Sequence, residues 1–419
     1  MTANKRAEKT IVFIVGAGAS ATICPDRIPC MSDYFAKWVK QTEASRQTQY
    51  WLPLASVEEA RVFPPNPDAE MWATRVRTIG WEIDSFKEKS LSTTALEETQ
   101  QNYLESYIEV FKNDDGRMTA NLERILSTIE TMEGFDVDDA RSRLIMSINT
   151  FFNDLDKDQD IDKKFSAGPH QRLAEFLRGR EDLRVTFISF NYDLWLEKSL
   201  QQNGLWNPGG GYGHTFLYTR PHKAMTESGA FGHYEARSFG DPSPSPVSVL
   251  KPNGSLSWFH VSDKEPVLLT DSGEETGKIS YNPDFYLDRV NIGNTVGRLL
   301  TPLIVPPIPT TNRRHPVFWS IDKNIQACIQ EAHVLVIIGW SLPETDKKFA
   351  EDFRRAIHSR VSQLPSLVLC DISLREVGSG SGLIRKFETL FRPAHPAITR
   401  KSDEDGFSTK FVDLLETVL

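Results

Sequence analysis

The segment IVFIVGAGAS at 11–20 constrains the fold most, because five consecutive apolar residues run straight into Gly16-Ala17-Gly18-Ala19-Ser20-Ala21. An unbroken apolar run of this length suits a strand buried on both faces. Glycines directly after it let the backbone turn tightly and approach a phosphate where a side chain would block it. A strand leading into such a turn predicts an open parallel α/β sheet. A second apolar run, TFISFNYD at 186–193, ends in Asn191-Tyr192-Asp193. It sets an amide and a carboxylate at the carboxyl end of another strand, the edge at which ligands of such sheets collect.

The spacing of these motifs excludes an ordinary dehydrogenase. There the glycine turn opens a helix that leads, within a βαβ unit of about 30 residues, to a strand ending in an acid. Here Pro25 and Pro29 interrupt the chain soon after the turn, and from about 31 to 180 the apolar periodicity is helical. Tyr103, Leu104, Tyr107, Ile108 and Phe111 share one face, as do Leu122, Ile125, Leu126 and Ile129, then Leu144, Ile148, Phe151 and Phe152. The organisation expected is a Rossmann-like parallel sheet with helices on both faces, built from 1–30 and 181–419, with 31–180 as a large inserted helical layer. That layer reads first as scaffold, and otherwise as a cover for a ligand or an oligomer interface.

Further strands are expected at 185–190, 247–250, 303–305, 334–338 and 367–369, with helices at 317–331, 347–359 and 407–419. The Gly-, Pro- and Ser-rich stretch 203–246 reads as long loops, and 263–291 as a small β excursion.

Composition narrows the function classes. With 39% hydrophobic residues in a chain of 419, a large core is available. The formal net charge of −9 gives no global basic field, which argues against direct nucleic-acid binding. The amino-terminal MTANKRAEKT lacks the apolar stretch of a secretory signal, and no apolar run approaches the roughly 20 residues of a membrane span. A cytoplasmic protein is expected. Cys24, Cys30, Cys328 and Cys370 form no CxxC pair or Cys/His spacing, so no metal is expected.

Taken in order, GAGAS at 16–20, IPCMSDYF at 28–35, NLERILSTIE at 121–130, FNYDLWLE at 190–197, KPNGSLSW at 251–258, PLIVPP at 302–307 and VIIGWSLPETDKKF at 336–349 resemble the sirtuin family. The likeness is closer to the sirtuin-like NAD-consuming proteins of bacterial anti-phage defence than to histone deacetylases, which commonly carry a four-cysteine zinc module absent from this sequence. The resemblance implies NAD as substrate, a homo-oligomer, and a partner encoded nearby such as a translocase ATPase, a short Argonaute or a nucleotide-processing enzyme.

The same resemblance distributes roles. Gly16, Ala17, Gly18 and Ser20 would line the phosphates. Asn191 would hold the ribose and position a water, with Asp193 at the nicotinamide end. Gly339, Ser341 and Asp346 match the later nucleotide-binding loop, and Asp371, ending the next strand, would lie near the adenosine. Asn and Asp at these places equally suit helix capping. The chain departs from the pattern at Asn253, where the family usually has a histidine acting as general base; a neutral amide cannot take that proton. His214 and His260 are candidate substitutes. The expected function is a regulated NAD glycohydrolase acting in abortive infection. The alternative is a sirtuin-like subunit that binds NAD, ADP-ribose or a related nucleotide as a sensor, and a protein deacylase fits least.

Overall fold

The computed structural model describes residues 9–30, 37, 145, 148–149, 151–221, 233–238, 245–260, 266–268, 278–279, 281, 289–292, 295–299, 301–305, 315–342, 346–360, 365–371, 379–391, 402–403 and 406–419. The chain divides into two compact units, one of Met1–Cys24 with Lys157–Leu419 and one of Pro25–Asp156. Most of the helical insertion, including the faces expected at 103–111, 122–129 and Leu144, lies outside the described residues. In the second unit Ile145, Ile148, Phe151, Phe152 and Leu155 are buried.

In the first unit the strands in chain order are β1 (Lys9–Val15), β2 (Leu183–Ser189), β3 (Leu217–Pro221), β4 (His233–Ser238), β5 (Val247–Leu250), β6 (Gly254–His260), β7 (Pro266–Leu268), β8 (Arg289–Ile292), β9 (Thr295–Leu299), β10 (Thr301–Ile304), β11 (Val334–Ile338), β12 (Ser366–Cys370) and β13 (Ser402–Asp403). The helices set out among the described residues are α1 (Ala17–Ala21), α2 (Gln159–Ser166), α3 (Pro169–Arg178), α4 (Trp195–Gln202), α5 (Pro316–Glu331), α6 (Lys347–His358), α7 (Ser379–Phe391) and α8 (Thr409–Val418).

Six strands form one sheet in the order β13-β12-β11-β1-β2-β5, and every neighbouring pair is parallel. Along the chain this is the doubly wound order, in which the first strand has the second on one side and the fourth on the other. Right-handed crossovers in such an order lay helices on both faces, and the winding reverses between β1 and β11. The sequence explains the burial this demands. Ile11, Val12, Phe13 and Ile14 are fully buried, and Phe13 stacks on Phe187 of β2 with ring centroids 4.7 Å apart. Apolar residues on both faces of a strand leave no side that tolerates solvent.

Register then aligns the strand ends. Val15 pairs with Ser189 and with Ile338, Ile188 with Leu250, and Ile338 with Cys370. The residues that follow, Gly16, Phe190, Lys251, Gly339 and Asp371, therefore share one edge.

The remaining strands make a seven-stranded mixed sheet, order β10-β6-β7-β3-β4-β8-β9. Two sequence expectations are corrected here. The run at 303–305 is not a strand of the parallel sheet: β10 pairs antiparallel with β6, Pro302 opposite Phe259. The stretch 203–246 is not loop throughout, since it supplies β3 and β4, paired antiparallel from Leu217↔Ser238 to Pro221↔Tyr234. An apolar run of three or four residues does not reveal which sheet it joins.

Helix ends follow their capping chemistry. Asp158 accepts from the N–H groups of Asp160 and Ile161 to start α2, and Ser408 accepts from Phe411 to start α8. The helices α2 and α3, expected within the inserted layer, group with the sheet-bearing unit, where α3 packs on α4 and α8.

Candidate functional site

The carboxyl edge of the parallel sheet is built around two tight turns that hold each other. Gly16 donates to the carbonyl of Ile338 at 2.9 Å, and Gly18 donates to the carbonyl of Gly339 at 3.1 Å. A Cβ on Gly16 would lie 2.4 Å from Gly339 O and 2.7 Å from Trp340 Cα, and one on Gly339, whose φ is +57°, would lie 2.4 Å from Ala19 N. These glycines are thus required for backbone-to-backbone packing between the turns after β1 and β11. The N–H of Gly18, expected to face a phosphate, is committed to protein, and α1, which contains Ala17, spans only five residues.

Asn191 closes this arrangement from β2. Its Nδ2 donates to Gly16 O at 3.0 Å and to Ser20 Oγ at 2.9 Å. A carbonyl only accepts, so the orientation of the carboxamide is fixed: the amine faces the turn and Oδ1 faces away. That Oδ1 is buried and has no hydrogen-bond partner among the described residues. An acceptor in this condition costs about 1–3 kcal/mol unless a ligand or water supplies a donor.

Ser20, 2% exposed, accepts from Asn191, and its hydroxyl is among the groups that act on the Asp193 carboxyl. Asp193 also accepts from the N–H of Trp195 at 3.2 Å. Burial pushes its carboxyl up to about 6, opposed by the positive charge of Lys251 and reinforced by the negative charge of Glu197, while the hydrogen bonds from Ser20 and Trp195 act downward. A carboxylate poised near neutrality is what proton transfer or the stabilisation of transient positive charge requires.

Asn253 sits in the turn that carries the chain from β5 of the parallel sheet directly into β6 of the mixed sheet. Gly254 holds φ +81°, and a Cβ there would meet Leu303 O at 2.0 Å, so only glycine fits. The turn is stitched to the Asn191–Asp193 segment: Leu256 donates to Tyr192 O at 3.0 Å, and Lys251 Nζ donates to Asp193 O at 2.6 Å. Asn253 is 3% exposed, and its Oδ1, like that of Asn191, has no partner among the described residues. Two buried amide oxygens without a protein donor among the described residues thus stand on segments that are stitched together at the strand edge.

The remaining expected residues are placed as follows. Asp346 is buried and accepts from the indole N–H of Trp340 at 2.7 Å; it makes no side-chain cap for α6. Trp340 in turn stacks on Phe190 with centroids 5.0 Å apart and rings 3° from parallel. Asp346 therefore fixes an aromatic wall at the strand edge. Ser341 is exposed, its carbonyl receiving Lys386 Nζ at 3.4 Å, and next to it Leu342 holds φ +53°. A left-handed leucine costs about 1–3 kcal/mol, and such positions collect in ligand-binding loops. Asp371 is half-buried directly after β12.

His214 is half-buried in the loop before β3, its ring 5.8 Å from that of Phe216. Desolvation and the nearby His315 both lower its pKa. His260 ends β6, its ring 5.3 Å from that of His315, which caps α5 through Nδ1. The three imidazoles are one neighbourhood, and no hydrogen bond or ring contact described for them reaches Asn191 or Asp193. Among the described residues no group of three His, Cys, Asp or Glu side chains has the geometry of a metal site.

Sequence reasoning missed Lys251 and Glu197. Both are wholly buried, and Lys251 Nζ lies 2.6 Å from Glu197 Oε1. A signal was present: a lysine directly after the apolar VSVL, and a glutamate among the apolar residues of LWLE just after Asp193, are charges in segments that otherwise read as interior.

The chain matches no protein-family model and no curated protein. No helix among the described residues is long and apolar enough to cross a membrane.

Proposed function

We propose that this chain is a sirtuin-like NAD glycohydrolase, cleaving NAD with water to nicotinamide, ADP-ribose and a proton. The observation that carries the reading is the fixed carboxamide of Asn191: at the carboxyl edge of a doubly wound sheet, beside the turn after β1, its buried oxygen faces away from the protein bonds that orient it. Ligands of such sheets bind at that place. A ribose hydroxyl or an attacking water supplies the donor that Oδ1 lacks.

As nicotinamide departs, positive charge builds on the ribose. Asp193, ionised above about pH 6, stabilises that charge and can accept the proton of the water, directly or through Ser20. Neutral Asn253 replaces the family's histidine, and a carboxylate already poised two residues from Asn191 makes that histidine dispensable for hydrolysis. It does not do so for deacylation, which relies on the base to activate a ribose hydroxyl. Ala17, Ser341, Asp371 and the aromatic wall of Trp340 are the surfaces left to hold the rest of the dinucleotide.

Uncontrolled NAD loss is lethal, so the activity is held until a trigger arrives, in a cytoplasmic homo-oligomer working with a neighbour-encoded partner as a defence effector. A second reading is favoured by the commitment of Gly18 N–H and Ser20 Oγ to protein: a sensor subunit that binds NAD or ADP-ribose without turnover.

The deciding experiment measures NAD in cells expressing the chain with its genomic neighbours, with and without phage, against Asn191→Ala. Loss of NAD that needs both infection and Asn191 supports the hydrolase. Constant NAD with tight nucleotide binding by the purified protein moves the assignment to the sensor.

A further inference from the structure

Beneath the edge residues lies an ion pair that the proposed chemistry does not use. Lys251, directly after β5, and Glu197, in the first turn of α4, are each 0% exposed. Lys251 Nζ donates to Glu197 Oε1 and to the backbone carbonyl of Asp193, both at 2.6 Å, and Tyr212 Oη donates to the same Glu197 oxygen at 3.2 Å.

Stability alone is a poor reason for such a pair. Replacing a buried ion pair with apolar residues of similar volume is often neutral or favourable, because desolvation offsets the Coulombic gain. The bond to Asp193 O is different in kind. It ties the turn between β2 and α4, which presents Asn191 and Asp193, to the turn between β5 and β6, which presents Asn253. Leu256 N–H on Tyr192 O makes a second tie between the same segments.

We infer that Lys251 is a positioning residue: its ammonium, clamped between the Asp193 carbonyl and the Glu197 carboxylate, holds the two amide-bearing turns together and fixes the charge environment of Asp193. This rests on the proposed function for its catalytic meaning, though not for its physical test. The groups that face Asp193 are Lys251 at the end of β5, Glu197 and the Trp195 N–H on α4, and the Ser20 hydroxyl on α1. With Lys251 neutralised, only Glu197 remains as a charge among them, and ionisation of Asp193 moves to higher pH. With Glu197 neutralised, it moves lower.

The test compares melting temperatures between pH 3 and 9 for the full chain and its Asp193→Asn variant, then repeats the pair with Lys251→Met and with Glu197→Gln. The difference within each pair isolates the ionisation of Asp193: it grows from the unfolded-state pKa upward and levels off at the folded-state pKa. The pH at which it levels off is expected to rise by about one unit with Lys251→Met and to fall with Glu197→Gln. A levelling-off pH that stays put in the backgrounds that fold overturns the inference, and the Glu197→Gln pair decides if Lys251→Met does not fold. In NAD turnover, Lys251→Met is expected to lower kcat at least tenfold with KM little changed; wild-type kcat in that variant also overturns the inference. No NAD loss from the wild-type chain under any trigger sinks the hydrolase reading instead, while the shift in levelling-off pH still decides the role of Lys251.

Discussion

Gly18 gives its N–H to the carbonyl of Gly339 at 3.1 Å, joining the turn after the first strand to the turn after the fourth across the point where the sheet reverses its winding. Neither turn can take its shape without the other, and the glycines stand where a side chain would collide with backbone.

Gly339→Ala is therefore expected to destabilise the chain by at least about 2 kcal/mol, combining a left-handed φ of +57° with a Cβ placed 2.4 Å from Ala19 N. Gly204→Ala is the control, since Gly204 also has positive φ, +69°, but nothing within 4 Å of its notional Cβ. It should cost about 1 kcal/mol. Urea unfolding of both variants measures the difference, and equal losses would refute the packing argument.

Asp193→Asn should stabilise the fold at alkaline pH while removing turnover. The folded-state pKa is raised from 3.8 to about 6, so the folded protein holds the proton more tightly than the unfolded chain. The associated stability is fully present below about pH 4 and is lost as pH rises through 6. The loss is on the order of 3 kcal/mol, from a shift of about two units at about 1.4 kcal/mol each. Asparagine avoids this loss. Melting curves should show the variant gaining on wild type about twice as much at pH 8 as at pH 5, and little at pH 3.5.

His170 predicts the opposite limb. It is fully buried beside Phe165 and Phe407, and desolvation lowers its pKa from 6.5 to about 3. The neutral ring is the folded form, and the unfolded chain takes up the proton first. Stability is fully present above pH 6.5 and drains as pH falls toward 3, by up to about 5 kcal/mol in order of magnitude. His170→Phe should flatten the profile between pH 6.5 and 4 with little change at pH 7.5. A variant whose acid limb stays as steep as wild type would show that other groups govern acid unfolding.

The two substitutions at Asn191 separate chemistry from architecture. Asn191→Ala leaves Gly16 O and Ser20 Oγ each one donor short, a cost of about 1–3 kcal/mol. Asn191→Asp is expected to be worse, because it points an acceptor at the Gly16 carbonyl. Both should lose about 10²-fold or more in NAD turnover, and retention of the full rate in folded Asn191→Ala would remove Asn191 from the mechanism.

Much of the parallel sheet is legible in the sequence because its strands are buried on both faces. β11 spans the expected 334–338; β1 and β2 begin two residues early, β2 ends one residue short at Ser189, and β12 is longer by one residue at each end. The mixed sheet is less legible. Its strands are short and interrupted, and β10 carries an apolar run that looks like any other until its antiparallel partner β6 is known. At the site, position was readable and contact was not. Asn191 and Asp193 do stand at the strand edge, yet nothing in GAGAS reveals that Ser20 turns inward to them or that Gly18 spends its N–H on Gly339. Asp346 reads as either a nucleotide contact or a cap; it makes no side-chain cap, and it braces an indole. Lys251 and Glu197 were visible only as misplaced charges, because partners 54 positions apart meet only in the fold.

The first strand lies at the centre of the parallel sheet, but both of its neighbours arrive late: Gly16 and Asn191 stand 175 positions apart in the chain, and β11 follows later still. Pairings so distant are slow to close. On the ribosome, the glycine turn emerges early and waits, without its amide, for the inserted segment to be made, and then without Gly339 until most of the polypeptide exists. A nascent chain therefore lacks the paired glycine turns and the orienting partners of Asn191 until Gly339 has been made.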